Sequence, residues 1–420
     1  MNTFVGVVKY LEALSIMPKE MPGIEKLKKA LSETTWFDKI DSKKVIVVAG
    51  TNGKGSTCAI LESLLCAAKK NVGFYSSPHL IDTTERIRVN QKQIEKSEFI
   101  KLFATNKLLI DKYQLTHFEA LTLMAGDYFF SEKNLDYVLF EVGLGGTFDA
   151  TNSMPHGISV ITALSLDHTN ILGHTLSEVA SNKFGIIQND NLVIHHQLPD
   201  ELSFEKNAVQ RKTNSTWFEA KPIHLRVEEK FEAPSYIIET EWGIAAINLI
   251  GARAAENAAT ALTVFEKLGF NPSSFLQALN QVCWNGRMQK TKWPSLLAPL
   301  YLSGDHNVQG VESLIKILAD FKYKNLHLIV GIGKDKESEP MLNLLAKLNG
   351  VKLYLTETPF KGLEIKEYPQ KYLNLAAYKN KNVNEVLNFV SGIALNEDLV
   401  VVTGSLYLVG LVMSQPNIII

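Results

Sequence analysis

Cysteine is scarce. Cys58, Cys66 and Cys283 are the three in 420 residues. They are odd in number, far apart and without metal-ligand spacing, which excludes a disulfide scaffold. We expect them in or near the core of a protein from a reducing compartment. Neither charge is in excess: 43 Lys and Arg stand against 44 Asp and Glu, a formal net charge of −1. A chain that lives on nucleic acid carries a basic surplus, so no nucleic-acid partner is expected. The most apolar stretch, Leu399 to Met413, is broken by Thr403, Gly404 and Ser405 and is too short for a membrane helix. The opening MNTFVGVVKYLEAL has no basic n-region and no small-residue cleavage site, so it is not read as a secretory signal. Phe4, Val8 and Leu11 instead recur at helical spacing. A cytoplasmic protein without a membrane partner is expected. Internal repeats and low-complexity segments are absent as well.

What is present is an ordinary soluble composition, 46% hydrophobic and 21% charged. The length suits two domains, with three as the alternative. Val45 to Ala49 is a short β-branched run that reads as a buried parallel strand. It enters a glycine-rich turn, Gly50 to Ser56, followed by a helical run over Thr57 to Lys70 and a strand over Val72 to Tyr75. This is a βαβ unit. Further strands are expected at Tyr137 to Val142, Ile158 to Leu164 and Leu192 to His195, with an apolar helix over Phe118 to Phe130. Residues 214 to 250 alternate in short runs that suggest hairpins. Ala254 to Leu268 reads as a helix, and Asn271-Pro272 as the cap of another running to Val282. Thr291 to Pro299 holds two prolines and little periodicity, and a linker is placed there. Beyond it, strands at Pro299 to Leu302, Leu326 to Val330, Val351 to Leu355 and Leu399 to Val402 alternate with helices at Val308 to Phe321 and Met341 to Leu348. The expected fold class is α/β: a P-loop-type, mostly parallel sheet domain over residues 1–295, then a smaller Rossmann-like α/β domain over 296–420.

Gly50-Thr51-Asn52-Gly53-Lys54-Gly55-Ser56 lies between a strand and a helix, the setting of a phosphate cradle. Glycines let backbone N–H groups approach phosphates, Lys54 adds a point charge, and Ser56 or Thr57 can offer a hydroxyl to Mg²⁺. The spacing is not the standard one, because Gly55 separates the lysine from the serine. A purely structural turn is the alternative.

The spelling from Ala49 to Thr57 resembles the ATP loop of the Mur ligase superfamily and, more narrowly, of folylpolyglutamate synthase/dihydrofolate synthase. Other segments are similar to that family in order. Ser77-Pro78-His79-Leu80 with Glu85 to Val89 resembles its mobile loop, and Thr116 to Thr122 its substrate-facing helix. Glu141 to Asn152 is close to its most specific segment. Asp167-His168, Leu172-Gly173 and Lys183 fall at family spacing, and Gly404 to Gly410 matches the C-terminal signature.

The resemblance implies a ligase that uses ATP to join glutamate to a carboxylate through an acyl phosphate. ATP and Mg²⁺ are the expected cofactors, with K⁺ as a further expectation by analogy; glutamate and a pteroate or folate are the expected substrates, and the expected state is a monomer. Phosphoryl transfer needs positioning and charge neutralisation more than protein covalent chemistry. Lys54, His168, Lys183 and Arg287 are the implied catalytic set. Gly50, Thr51, Asn52, Gly53, Lys54, Gly55, Ser56, Thr57, Asn257, Arg287, Ser303 and His306 would hold the nucleotide. Ser77, His79, Phe118, Glu119, Thr147 and Asp149 would face the substrate. Ser56, Ser77, Glu141, His168 and Lys183 would serve metal ions.

Each has a plainer alternative. Glu141 ends a strand, where a carboxylate suits Mg²⁺ or a local salt bridge. His168 is a metal ligand or a structural histidine. Lys183 matches a lysine that the family carbamylates, which would reverse its charge toward a metal, or it is a solvated lysine. Arg287 matches an arginine that meets phosphates across a domain cleft, or it makes an interdomain ion pair, and closure of the domains would assemble the site.

There are departures. Ser303 stands where the family has an Asp, and Asp305 replaces a small residue. Arg253 and Ala254 replace an aromatic or His and a Gln. Met17 to Ile24 lacks the usual glycine-leucine pattern. These changes leave room for a ligase acting on another carboxylate, or for a nucleotide-binding paralogue that no longer ligates.

Overall fold

The computed structural model describes residues 3–15, 24–228, 233–416 and 418–419. The expected folate-side segment Met17 to Ile24 therefore lies, except for Ile24, outside the described residues. The chain forms two compact units. The first comprises residues 1–223 and 256–279, the second 224–255 and 280–420.

The first unit is built on an eight-stranded sheet. Its strands are β1 (Val45–Ala49), β2 (Val72–Tyr75), β3 (Ile87–Val89), β4 (Lys92–Gln93), β5 (Tyr137–Glu141), β6 (Ile158–Ile161), β7 (Leu192–His195) and β8 (Thr216–Glu219). The order is β4-β3-β2-β5-β1-β6-β7-β8. All pairings are parallel except the edge hairpin β3–β4 and its junction with β2. Parallel strands are buried on both faces, and all five residues of β1 are. Val45, Val47 and Ala49 join one core cluster with residues of helices Phe4–Ala13, Glu25–Ser32, Lys96–Tyr113 and His117–Asp127. The helix Lys54–Ala67 packs on β1, β2 and β5.

Several expectations shift. The helix after the glycine turn starts at Lys54, because Gly53 takes the left-handed conformation at its N-cap, φ 90°. The expected helix from Asn271 to Val282 is a pair of 3₁₀ segments, Pro272–Ser274 and Leu276–Gln281. The Asn271 side chain accepts from Ser273 N and closes a tight turn there. Within residues 214–250, Thr216–Glu219 does not form a hairpin but extends the large sheet in parallel with β7. Cys283, expected near the core, is exposed; Cys58 is buried, and all three cysteines are free.

The second unit carries β9 (His224–Glu228), β10 (Ser235–Thr240) and β11 (Gly243–Ile247), an antiparallel three-stranded sheet. Its larger sheet contains β12 (Gln289–Thr291), β13 (Leu300–Leu302), β14 (Leu326–Val330), β15 (Val351–Leu355), β16 (Tyr378–Lys379) and β17 (Leu399–Thr403). The order is β12-β13-β17-β14-β15-β16, parallel except for β12. Because β12 pairs with β13, residues 292–299 connect two strands of one sheet, and position 295 falls inside this unit. No helix among the described residues is long and apolar enough to cross a membrane.

Candidate active site

In an open parallel sheet, ligands meet the carboxyl ends of the strands where the strand order reverses. In the first unit that point is β1, flanked by β5 and β6. Register pairs Val48 with Glu141 and Ala49 with Ile161. The turn after β1, the carboxylate ending β5 and the segment after β6 therefore emerge side by side. Tyr75 pairs with Phe140, which sets Ser76 and Ser77 next to Glu141.

The loop is held open by its neighbours. Thr51 N donates to Ala163 O at 2.8 Å, and Thr51 Oγ1 donates to Ser165 O at 2.9 Å. Thr162 Oγ1 donates to Asn52 O at 2.8 Å. A Cβ on Gly50 would stand 1.9 Å from Thr162 Oγ1, and one on Gly53 2.2 Å from Asn257 Oδ1. A Cβ at either place would force its neighbour to move, and the Asn257 side chain lies against the loop. The helix begins at Lys54, so the N–H groups of its first turn have no intrahelical acceptor and point into the turn. One turn in, Thr57 is fully buried and its hydroxyl has no hydrogen-bond partner among the described residues. A buried orphan hydroxyl is costly unless a ligand uses it. Ser56 beside it is also buried.

Two lysines converge on one carbonyl. Lys54 Nζ donates to Gly50 O at 3.0 Å and to Thr51 O at 3.3 Å. Lys183 Nζ, on the helix Leu176–Phe184, donates to the same Gly50 O at 2.9 Å. Lys183 is 4% exposed. Burial first and the Lys54 charge second push its pKa down to about 7, against a smaller opposing pull from Asp167 and Asp149. Close packing explains the placement: a Cβ on Gly146 would approach Asn182 O and Lys183 O within 2.8 Å. Thr147 N and Oγ1 both donate to Asn182 O at 2.9 Å.

Glu141 is 6% exposed, and its Oε2 accepts from Ser77 N at 3.2 Å. His168 follows β6 in the left-handed conformation, φ 49°. Histidine is among the side chains that enter this conformation more readily than most. His168 Nε2 stands 4.0 Å from Asp167 Oδ1. Among the described residues, no three His, Cys, Asp or Glu side chains converge as a metal cluster. The oxygen donors that the described residues place at this edge are the Glu141 carboxylate and the hydroxyls of Ser77 and Thr57.

Beside the end of β2, Phe118 packs on Tyr75 with ring centroids 5.7 Å apart. His79 Nδ1 accepts from Arg86 Nε at 2.9 Å. Burial, then the Arg86 charge, holds the His79 pKa down to about 3, so the ring is neutral. Glu119 closes the capping box of its own helix, its Oε2 accepting from Thr116 N and Oγ1 at 2.8 Å each. Asp149 shapes the loop after β5: it accepts from Leu144 N, Thr151 N and Thr151 Oγ1. Burial raises its pKa despite those bonds.

In the second unit, Arg287 is half-buried. The buried Ser303 hydroxyl donates to Asp305 Oδ2 at 2.5 Å, just after β13. His306 Nδ1 contacts Gly304 O at 2.8 Å. Arg253 is turned toward Gln309 O. After β17, Gly404 has φ 101°, and a Cβ there would stand 2.6 Å from Gly331 O.

Residues 48–265 match the Mur ligase middle domain family. The dihydrofolate synthase/folylpolyglutamate synthase of Buchnera aphidicola subsp. Schizaphis graminum is 30% identical over 386 residues, covering 87% of this chain and 87% of its own. The chain belongs to this family. It is an ATP-dependent ligase. Among solved structures, a bifunctional folylpolyglutamate synthase/dihydrofolate synthase with Mn, AMPPNP and L-glutamate bound is 27% identical, with TM-score 0.82 over 98% of this chain and 97% of that one. Escherichia coli FolC in complex with DHPP and ADP is 26% identical, with TM-score 0.82 and the same coverage.

Within this family member, the first unit brings together the glycine turn, Lys54, Thr57, Ser77, Glu141, Lys183 and Asn257. Arg287, Ser303 and His306 belong to the other unit. Two contributors escaped sequence reasoning. Thr162 braces the turn from the neighbouring strand. Arg86 lies inside a motif that the resemblance flagged, yet its chemistry shows only through its burial and its partner.

Proposed function

We propose that this ligase joins the amino group of L-glutamate to the carboxylate of dihydropteroate, of a reduced folate, or of both. The observation that best supports this reading is the single sheet edge that carries a phosphate turn, a carboxylate–serine pair and a buried lysine aimed at the turn. The γ-phosphoryl group passes from ATP to an acceptor oxygen, ADP leaves, and an acyl phosphate results. The glutamate amine attacks the acyl carbon, loses a proton, and the adduct expels phosphate.

The first-turn N–H groups after Gly53 hold the phosphates, and Lys54 Nζ leaves its carbonyls to meet them. Asn257, Arg287, Ser303 and His306 serve the nucleotide. Glu141, Ser77 and the Ser56 or Thr57 hydroxyl hold a divalent ion, which supplies Lewis-acid neutralisation of phosphate charge when bound. His168 and a carbamylated Lys183 serve a second ion. A lysine near neutrality has the free lone pair this needs: the nitrogen adds to CO₂ and loses one proton. His79, Phe118 and Thr147 face the acceptor; Glu119 and Asp149 keep their helix and loop in shape around it. K⁺ dependence, a monomeric state and a cytoplasmic location complete the reading.

The carboxylate absent at Ser303 returns at Asp305, hydrogen-bonded to that serine, which favours a working enzyme over a retired one. The test is phosphate release from Mg-ATP, with and without glutamate, with dihydropteroate and tetrahydrofolate tried separately and Lys54→Ala as control. Release that needs glutamate and one pteridine supports the reading. Silence with both, while ATP still binds, ends it.

A further inference from the structure

Arg86 is 8% exposed. Its backbone is tied to the end of β2, Ser76 N donating to Arg86 O at 2.9 Å. It therefore sits one residue from the Ser77–Glu141 contact. Its guanidinium donates through Nε to His79 Nδ1 at 2.9 Å, an acceptor that must be an uncharged ring. The other groups its charge influences are the Tyr75 phenol and His117. It makes no ion pair with a carboxylate among the described residues. The nearby carboxylates are already engaged. Asp82 accepts from Thr84 and pairs with Lys96. Glu85 accepts from the N–H groups of Leu80, Ile81 and Asp82. Asp149 is held by Leu144 and Thr151. A buried cation without an anion is unfavourable. Beyond its contacts with His79 and the Tyr75 hydroxyl, the remaining N–H donors of the guanidinium fit the two oxygens of a carboxylate, and the Tyr75–Phe118 pair beside it offers an aromatic wall.

We propose that Arg86 binds the reacting carboxylate of the acceptor, with His79 aiming the guanidinium. This rests on the ligase reading above. The fork holds one carboxylate oxygen toward the phosphate turn and offsets the repulsion between two anions as they approach.

The test uses the full chain with Arg86→Gln, Arg86→Lys and His79→Gln. Acceptor KM should rise roughly thirtyfold in Arg86→Gln, less in Arg86→Lys, with KM for ATP unchanged. The unfolding temperature of the apo protein should fall in Arg86→Gln by no more than the lost hydrogen bond to His79 costs, since no ion pair is removed with it. Binding of 4-aminobenzoate, with 4-aminobenzamide as the uncharged control, is measured without nucleotide. Wild-type protein that prefers the acid, and Arg86→Gln that does not, supports the site even if neither pteridine elicits phosphate release; that result would remove the folate reading alone. Unchanged acceptor KM and unchanged acid preference in Arg86→Gln would overturn the proposal, as would an equal loss of ATP affinity.

Discussion

Replacing Lys183 by Met tests the electrostatics of the site in a way that does not depend on activity. The lysine is buried, and its pKa falls from 10.5 to about 7 on folding. Between those values the unfolded chain binds one more proton than the folded one, so stability rises with pH through this window. The slope is about 1.4 kcal/mol per pH unit where the difference is a whole proton, which integrates to about 2 kcal/mol between pH 7 and 9. Lys183→Met has no such proton and should lack this component. Its lost hydrogen bond to Gly50 O shifts the whole curve and leaves the slope alone. The assay is urea unfolding of both proteins at pH 7, 8 and 9 in CO₂-free buffer, where the amine stays unmodified. The wild type should gain stability relative to the variant as pH rises. Parallel curves would refute the buried-amine argument, and with it the chemical basis for carbamylation. Admitting bicarbonate should keep or steepen this slope near pH 7, because a folded carbamate binds no amine proton while the unfolded lysine still does.

Other residues give sharper yes-or-no outcomes. Thr57→Val removes a buried hydroxyl with no partner among the described residues, so apo stability should rise by about 1 kcal/mol while the thermal shift caused by Mg-ATP shrinks; calorimetry with and without nucleotide reads both. Gly53→Ala puts a Cβ 2.2 Å from Asn257 Oδ1 at φ 90°, and should cost at least about 1–2 kcal/mol and raise the KM for ATP. Retained KM would mean that the turn rearranges freely. Ser303→Asp sets a second carboxylate against Asp305 and should weaken ATP binding through like-charge repulsion, whereas Ser303→Asp with Asp305→Ala should restore it; equal affinities in the two would disconnect this pair from the nucleotide.

Much of the fold was legible because parallel strands advertise themselves. Val45–Ala49, Val72–Tyr75, Leu326–Val330 and Val351–Leu355 appear where their apolar runs place them, since a strand buried on both faces needs no alternation to be recognised. The helix Lys96–Tyr113 was not read from the sequence. Its buried row is Phe99, Leu102, Phe103, Asn106 and Ile110, and a polar Asn106 interrupts the periodicity. That asparagine is satisfied by Leu102 O and Asp127 Oδ2, partners that no local pattern reveals. Thr216–Glu219 was misplaced for a related reason: its edge position depends on pairing with β7, not on anything within its own four residues.

For the site, residue type and spacing located the edge but could not say which groups are still available there. Glu119 and Asp149 occur in motifs that point to substrate, and both turn out to hold backbone and hydroxyl donors of their own segments. Arg86, read as one letter of a loop motif, is the reverse case. Its motif neighbour Glu85 is consumed by three N–H groups of its own turn, which leaves the guanidinium with a neutral imidazole and a phenol. The same logic distinguishes the two lysines on Gly50 O. Lys54 opens the helix that follows the turn, whereas Lys183 is set by the contact of Gly146 and Thr147 with its own helix. A charged side chain at a sheet edge becomes ligand-facing through what its neighbours have already used, and that depends on contacts across strands rather than along the chain.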